Sequence, residues 1–220
     1  MKTYARELAL FFTLLLASPI GHTAEQDNWY LANDFHVADG THDQMGVAYY
    51  ENNVTGAKEI YVCKKWSSSS RIGVYELNGT LIRDITVASA RDTAFDVALD
   101  ENGTIYIAEE KAITCLENDG TFKWRTGKNA SISNSGSSGS GNGEFNYAKG
   151  IAVGPDGNLY VCDSTNHRCQ VLDKNGNFIR KFGSNGSAPG QLKSPIDIIV
   201  FEDGTVLIGD DYYLNFFMSD

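Results

Sequence analysis

The feature that most limits what this chain can fold into is an internal repeat, four copies of one strand-and-turn motif. The clearest copy runs from Gly150 to Phe182 as four short β-type runs separated by turn residues. Asp156-Gly157 and Asn175-Gly176 are hairpin signals, because glycine accepts a positive φ without a Cβ clash. Asp96–Tyr106 and Asp197–Leu207 align with Gly150–Tyr160 without a gap. Gly46–Tyr61 aligns with a short insertion at Asn52-Asn53. With Tyr61, Tyr106, Tyr160 and Leu207 as equivalent points, successive copies are spaced 45, 54 and 47 residues apart. That period, with four strands per copy, is the size of a propeller blade. One blade cannot bury both of its faces, so blades stack around an axis to make a core. The expected fold is an all-β propeller with four recognisable four-stranded blades.

The last copy reaches Asp220 where a turn into its outer strand is expected. Asn28–Leu31 precedes Gly46 by the same spacing that separates Phe182 from Asp197, so it is a candidate for that strand. Pairing there would give a four-bladed ring closed by the N-terminal strand, with no open sheet edge.

Residues 1–24 read as an export signal. Lys2 and Arg6 precede the apolar run Leu8–Ala17, Ser18-Pro19-Ile20-Gly21 breaks it, and Ala24 suits cleavage. The run is too short to span a bilayer. Residues 25–220 are then one exported domain, secreted or periplasmic, with no membrane insertion expected. The whole chain carries a formal net charge of −10, and the signal takes away more basic than acidic residues. Such a balance argues against nucleic-acid binding, which needs Lys and Arg to displace counterions from phosphates. Cys63, Cys115, Cys162 and Cys169 have no metal-ligand spacing. In an oxidising compartment Cys162 and Cys169 are the pair placed for a disulfide, across a hairpin through Ser164–His167; the other reading is four buried thiols.

Several of these residues also carry a family likeness. Asn166-His167-Arg168 sits after a Gly150–Asp163 copy, and Gly139–Gly143 followed by Glu144-Phe145 leads into it. Gly190-Gln191-Leu192 with Pro195 repeats that lead-in one copy later. In these positions the chain resembles the NHL-repeat propellers, closely over 139–204, recognisably over 79–120 and weakly over 46–78. The resemblance implies partner binding, and because such propellers usually have six blades it also admits a partial six-bladed propeller. Some propeller relatives are metal-dependent lyases or lactonases with a central-channel site, the alternative function.

In a four-stranded blade, the loop between the second and third strands emerges on the same side as the connection to the next blade. Loops displayed on a rigid scaffold commonly carry binding residues. The candidates on that side are Trp66, His167, Arg168, Tyr212 and Tyr213, facing a protein or glycan. For a metal, Asp96 and Asp197 begin equivalent inner strands, and such hard oxygen donors suit Ca²⁺ more than zinc. His36, His42 and His167 are the three histidines after the signal, and they do not recur at equivalent positions. Nucleophile-elbow, zincin-helix and phosphate-loop motifs are absent. The sequence thus favours a secreted, non-catalytic binding scaffold without a cofactor, and leaves its ligand and oligomeric state open.

Overall fold

The computed structural model describes residues 44–65, 70–87, 93–131, 133–134, 136–211 and 213–218. They form four antiparallel sheets and no α-helix. Blade 1 is β1 (Gln44–Glu51), β2 (Lys58–Lys65), β3 (Ser70–Glu76) and β4 (Leu81–Thr86). Blade 2 is β5 (Ala94–Leu99), β6 (Ile105–Glu109), β7 (Ile113–Leu116) and β8 (Phe122–Thr126). Blade 3 is β9 (Ala148–Val153), β10 (Leu159–Asp163), β11 (Arg168–Leu172) and β12 (Phe178–Phe182). Blade 4 has three strands among the described residues, β13 (Pro195–Val200), β14 (Val206–Asp210) and β15 (Tyr213–Phe217). The outer strand expected from Asn28–Leu31 lies outside the described residues, as do the signal, His36 and His42.

The repeat read from the sequence is a repeat in register. Tyr61, Tyr106 and Tyr160 sit opposite Ala48, Ala98 and Ala152, and Leu207 opposite Ile199. Each inner strand also slips register near its start, after Gln44, Ala94, Ala148 and Pro195. The insertion at Asn52-Asn53 is a longer first hairpin, where Asn52 Oδ1 accepts the N–H of Val54 and Thr55, both at 2.9 Å. Elsewhere an Asp takes that part: Asp100 Oδ1 accepts from Asn102 and Thr104, and Asp173 Oδ1 from Asn175 and Asn177.

Three cores hold the blades together, one per junction. Between blades 1 and 2, Tyr61, Cys63, Ile72 and Val74 meet Val97, Ile105 and Ile107. Between blades 2 and 3, Tyr106, Ala108, Ile113 and Cys115 meet Ile151, Leu159 and Val161. Between blades 3 and 4, Tyr160, Cys162, Cys169 and Val171 meet Ile198, Val206 and Ile208. Each junction therefore joins the forward face of one blade to the rear face of the next. The inner strands pack in chain order, β1 on β5, β5 on β9 and β9 on β13; among the described residues β13 does not pack back on β1 in that way.

Polar ties act within blade 2 and across the junctions on either side of it. Glu109 and Arg125 form an ion pair at 3.2 Å with both side chains out of solvent, and Thr114 Oγ1 donates to the same carboxylate oxygen at 2.5 Å. Arg83 reaches from blade 1 to Asn118 Oδ1 at 3.1 Å, and Trp124 Nε1 donates to the Lys174 carbonyl at 3.2 Å.

Candidate functional site

A surface cleft of about 410 Å³ is lined by Phe95, Tyr147, Lys149, Ser164, Thr165, His167, Lys193 and Ser194. It is assembled from the starts of β5 and β9, the β10–β11 turn and the connection into β13. Backbone bonds sew these segments together: Ser164 N–H donates to the Tyr147 carbonyl and Thr165 N–H to that of Asn146, at 2.9 and 3.1 Å. Ser164 and Ser194 hydroxyls stand 3.1 Å apart.

Tyr147 is the unusual residue. Its φ of +60° lies in the left-handed region, which costs an aromatic L-residue about 1–2 kcal/mol. Its N–H donates to the Glu110 carbonyl at 2.6 Å and its carbonyl accepts from Ser164, so both neighbouring blades fix the conformation. The ring is left exposed, 5.9 Å from that of Phe95. Lys149 and Lys193 flank this pair, giving a cationic, partly aromatic cleft on an acidic molecule.

The residues singled out from the sequence fall in different places. His167, at φ +57°, ends the short turn Ser164–Asn166, meets the Lys193 carbonyl through Nδ1 and lines the cleft. Arg168 points the other way and is buried. Its Nε donates to Asp163 at 2.8 Å, and its terminal nitrogens donate to the carbonyls of Ser140, Gly141 and Glu144 at 2.8–3.0 Å. Asp163 also accepts from Asn146 N–H, Asn166 and Gln170. Burial raises the Asp163 pKa against these donors. The triplet therefore clamps the 139–145 loop, and its arginine spends its donors on the fold. Tyr213 is exposed on β15, away from the cleft, and Trp66 and Tyr212 lie outside the described residues.

Cys162 and Cys169 are cross-strand neighbours, as expected, but stand as free thiols with no bond between them. Burial pushes both thiol pKa values up, and that of Cys115 to about 12. Such cysteines behave as small apolar side chains.

Asp96 and Asp197 occupy equivalent positions at the axis. Asp96 accepts the Val97 N–H at 2.8 Å and, across the junction, the Ile151 N–H at 2.9 Å. Enclosure in protein atoms, with the Asp197 charge adding to it, raises its pKa to about 7. Asp197 accepts the Ile198 N–H at 2.8 Å. Among the described residues no group of three His, Cys, Asp or Glu side chains gathers around one point. Amide donors facing Asp96 suit strand bridging and do not fit a Ca²⁺ shell, which needs six or more oxygens. No described helix is long and apolar enough to cross a membrane.

Sequence reasoning named His167 and the side of the blades on which it lies but missed Phe95, Tyr147, Lys149 and Lys193. The one signal for them was position, since Tyr147 and Lys193 lie just ahead of the inner strands of blades 3 and 4.

Comparison with known proteins agrees with this architecture. The family model described as NHL repeat matches residues 145–172, the span of the Asp163–Arg168 clamp. The RING finger protein nhl-1 of Caenorhabditis elegans is 46% identical over 59 residues, covering 27% of this chain and 6% of that protein. The protein brain tumor of Drosophila melanogaster is 34% identical over 67 residues, covering 30% of this chain and 6% of that protein. Among solved structures, a catalytically inactive virginiamycin B lyase from Staphylococcus aureus superposes with TM-score 0.56 at 12% identity, over 83% of this chain and 58% of that one. An auxiliary nutrient binding protein from Bacteroides thetaiotaomicron gives 0.54 at 15% identity, over 75% and 44%. The WD40 β-propeller domain of Doa1 gives 0.52 at 14% identity, over 81% and 50%. At these identities the likeness is one of fold.

Proposed function

We propose that this propeller, which carries an NHL repeat, is an exported binding module whose ligand is a polypeptide segment bearing carboxylates and an aromatic or apolar anchor. One observation carries the reading: Tyr147 is kept in a strained conformation with its ring presented to solvent beside Phe95, Lys149, Lys193 and His167. Strain that the surrounding fold enforces, in a cleft, is a mark of a working surface. A tyrosine on a rigid loop gives contact area at small entropic cost, and lysines around it select acidic partners and speed their approach. NHL propellers typically bind proteins, which favours a polypeptide over a glycan. Export is supported by the Leu8–Ala17 run.

The test is calorimetric titration of the chain with a glutamate-rich peptide carrying one phenylalanine. Lys149→Ala and Lys193→Ala should each weaken binding about tenfold, equivalent to ~1.4 kcal/mol, and added salt should weaken it further. Tyr147→Gly should abolish binding while shifting stability by less than about 1 kcal/mol, because glycine accepts the left-handed φ. Equal affinity in all three variants would remove the cleft from the function.

A further inference from the structure

The His167 ring is held by one of its two nitrogens. Nδ1 meets the Lys193 carbonyl, and a carbonyl can only accept, so Nδ1 carries the proton. In the neutral ring that hydrogen bond settles the tautomer and leaves Nε2 as an acceptor. Nε2 has no hydrogen-bond partner among the described residues and is open to solvent. The ring itself lines the cleft.

The carbonyl that fixes the ring is itself fixed. Lys193 N–H donates to Asp210 Oδ2 at 2.8 Å, and Ser194 N–H donates to the other oxygen of this buried carboxylate. His167 N–H donates to the Ser164 carbonyl at 3.1 Å, closing the turn that carries the ring. Both ends of the Nδ1 bond are therefore set before a ligand arrives, and a preset acceptor loses little freedom on binding. The Ser164, Ser194 and Thr165 hydroxyls on the cleft can turn to donate or to accept, and Lys149 and Lys193 can only donate. Nε2 of the neutral ring can only accept.

We infer that His167 selects the anchor of the bound segment: an aromatic residue that carries its own donor, tyrosine above phenylalanine. The inference rests on the cleft as a polypeptide site and says what that site prefers. The anchor's ring lies against Phe95 and Tyr147, whose own rings are 5.9 Å apart, and its hydroxyl donates to Nε2. Lysine and arginine, the long side chains that also donate, are repelled by Lys149 and Lys193. A site with a fixed acceptor opposite a ligand hydroxyl discriminates against the analogue that lacks it. On a partly solvated surface the gain is that of one neutral hydrogen bond, about fivefold in affinity.

The test is calorimetric titration of the full chain at pH 8 with two glutamate-rich peptides that differ by one hydroxyl, one carrying phenylalanine and the other tyrosine. The tyrosine peptide should bind the parent chain about fivefold more tightly. In His167→Gly, which keeps the left-handed turn, the two peptides should bind alike. The ratio is read within each protein, so a general loss of affinity in the variant does not mimic the effect. Nitrogen NMR of the free chain should show the His167 ring proton on Nδ1. The parent ratio and the ring spectrum need no variant, so they decide even where His167→Gly does not fold. Equal affinity in the parent, a preference that survives His167→Gly, or a ring proton on Nε2 would each overturn the inference and leave the cleft as a binding site. Binding of neither peptide would overturn the cleft reading itself, and the inference with it.

Discussion

At the scale of single residues, the Asn166-His167-Arg168 triplet shows how one short motif divides its labour. Asn166 and Arg168 turn inward to Asp163, while His167 takes the left-handed conformation and faces the cleft. Arg168 neutralises a buried carboxylate and satisfies three loop carbonyls that lead into Tyr147. Removing one partner of a buried pair leaves the other desolvated, at about 3–5 kcal/mol. Arg168→Met should therefore lose stability of that order in urea denaturation. It should also weaken peptide binding, although Arg168 does not line the cleft. A loss below about 1 kcal/mol would mean that solvent reaches Asp163 and that the clamp is not structural.

At the scale of elements, the strand-and-turn pattern was legible because its causes are local. Alternation, Asp-Gly and Asn-Gly turns and the Tyr61, Tyr106 and Tyr160 equivalence depend on neighbours a few residues away, and the register confirms them. The cleft was not legible. Phe95, Tyr147, Ser164 and Lys193 come from separate segments, and nothing in Asn146-Tyr147-Ala148 signals a positive φ. The Glu109–Arg125 pair was missed for a similar reason, since a charge on a short strand reads as a solvent-facing position until the fold takes it out of solvent. Asp96 was seen as a repeat position, but its role as a bridge between inner strands depends on Ile151 lying opposite. That bridge has a measurable pH signature. With a folded pKa near 7 against an unfolded value near 4, folded Asp96 holds a proton that the unfolded chain has released. Stability should fall as pH rises from about 4 to 7 and level off above, by on the order of 2–4 kcal/mol from this group. Asp163, also raised by burial, slopes the same way, so the Asp96→Asn difference isolates the bridge. Asp119, Asp173 and Asp203 have lowered pKa values from turn hydrogen bonds and act below that window. Chemical denaturation at pH 5 and pH 8 should show a flatter profile in Asp96→Asn, and an unchanged slope would mean that Asp96 stays charged throughout.

At the scale of the whole molecule, stability in a stacked array is a sum of blade and junction terms, so position in the array matters as much as composition. Blades 2 and 3 have cores on both faces, whereas blade 4 has one on its rear face alone among the described residues. Exchange of backbone amides should follow this gradient, slowest in β6, β7, β10 and β11 and fastest in β15, because local opening is governed by buried apolar contact. Exchange–mass spectrometry checks the gradient directly, and equal protection of β15 and β10 would mean that junction burial does not govern local opening. In Phe216→Glu the blade 2 and blade 3 amides should keep their protection, since the three internal junctions do not involve that side chain.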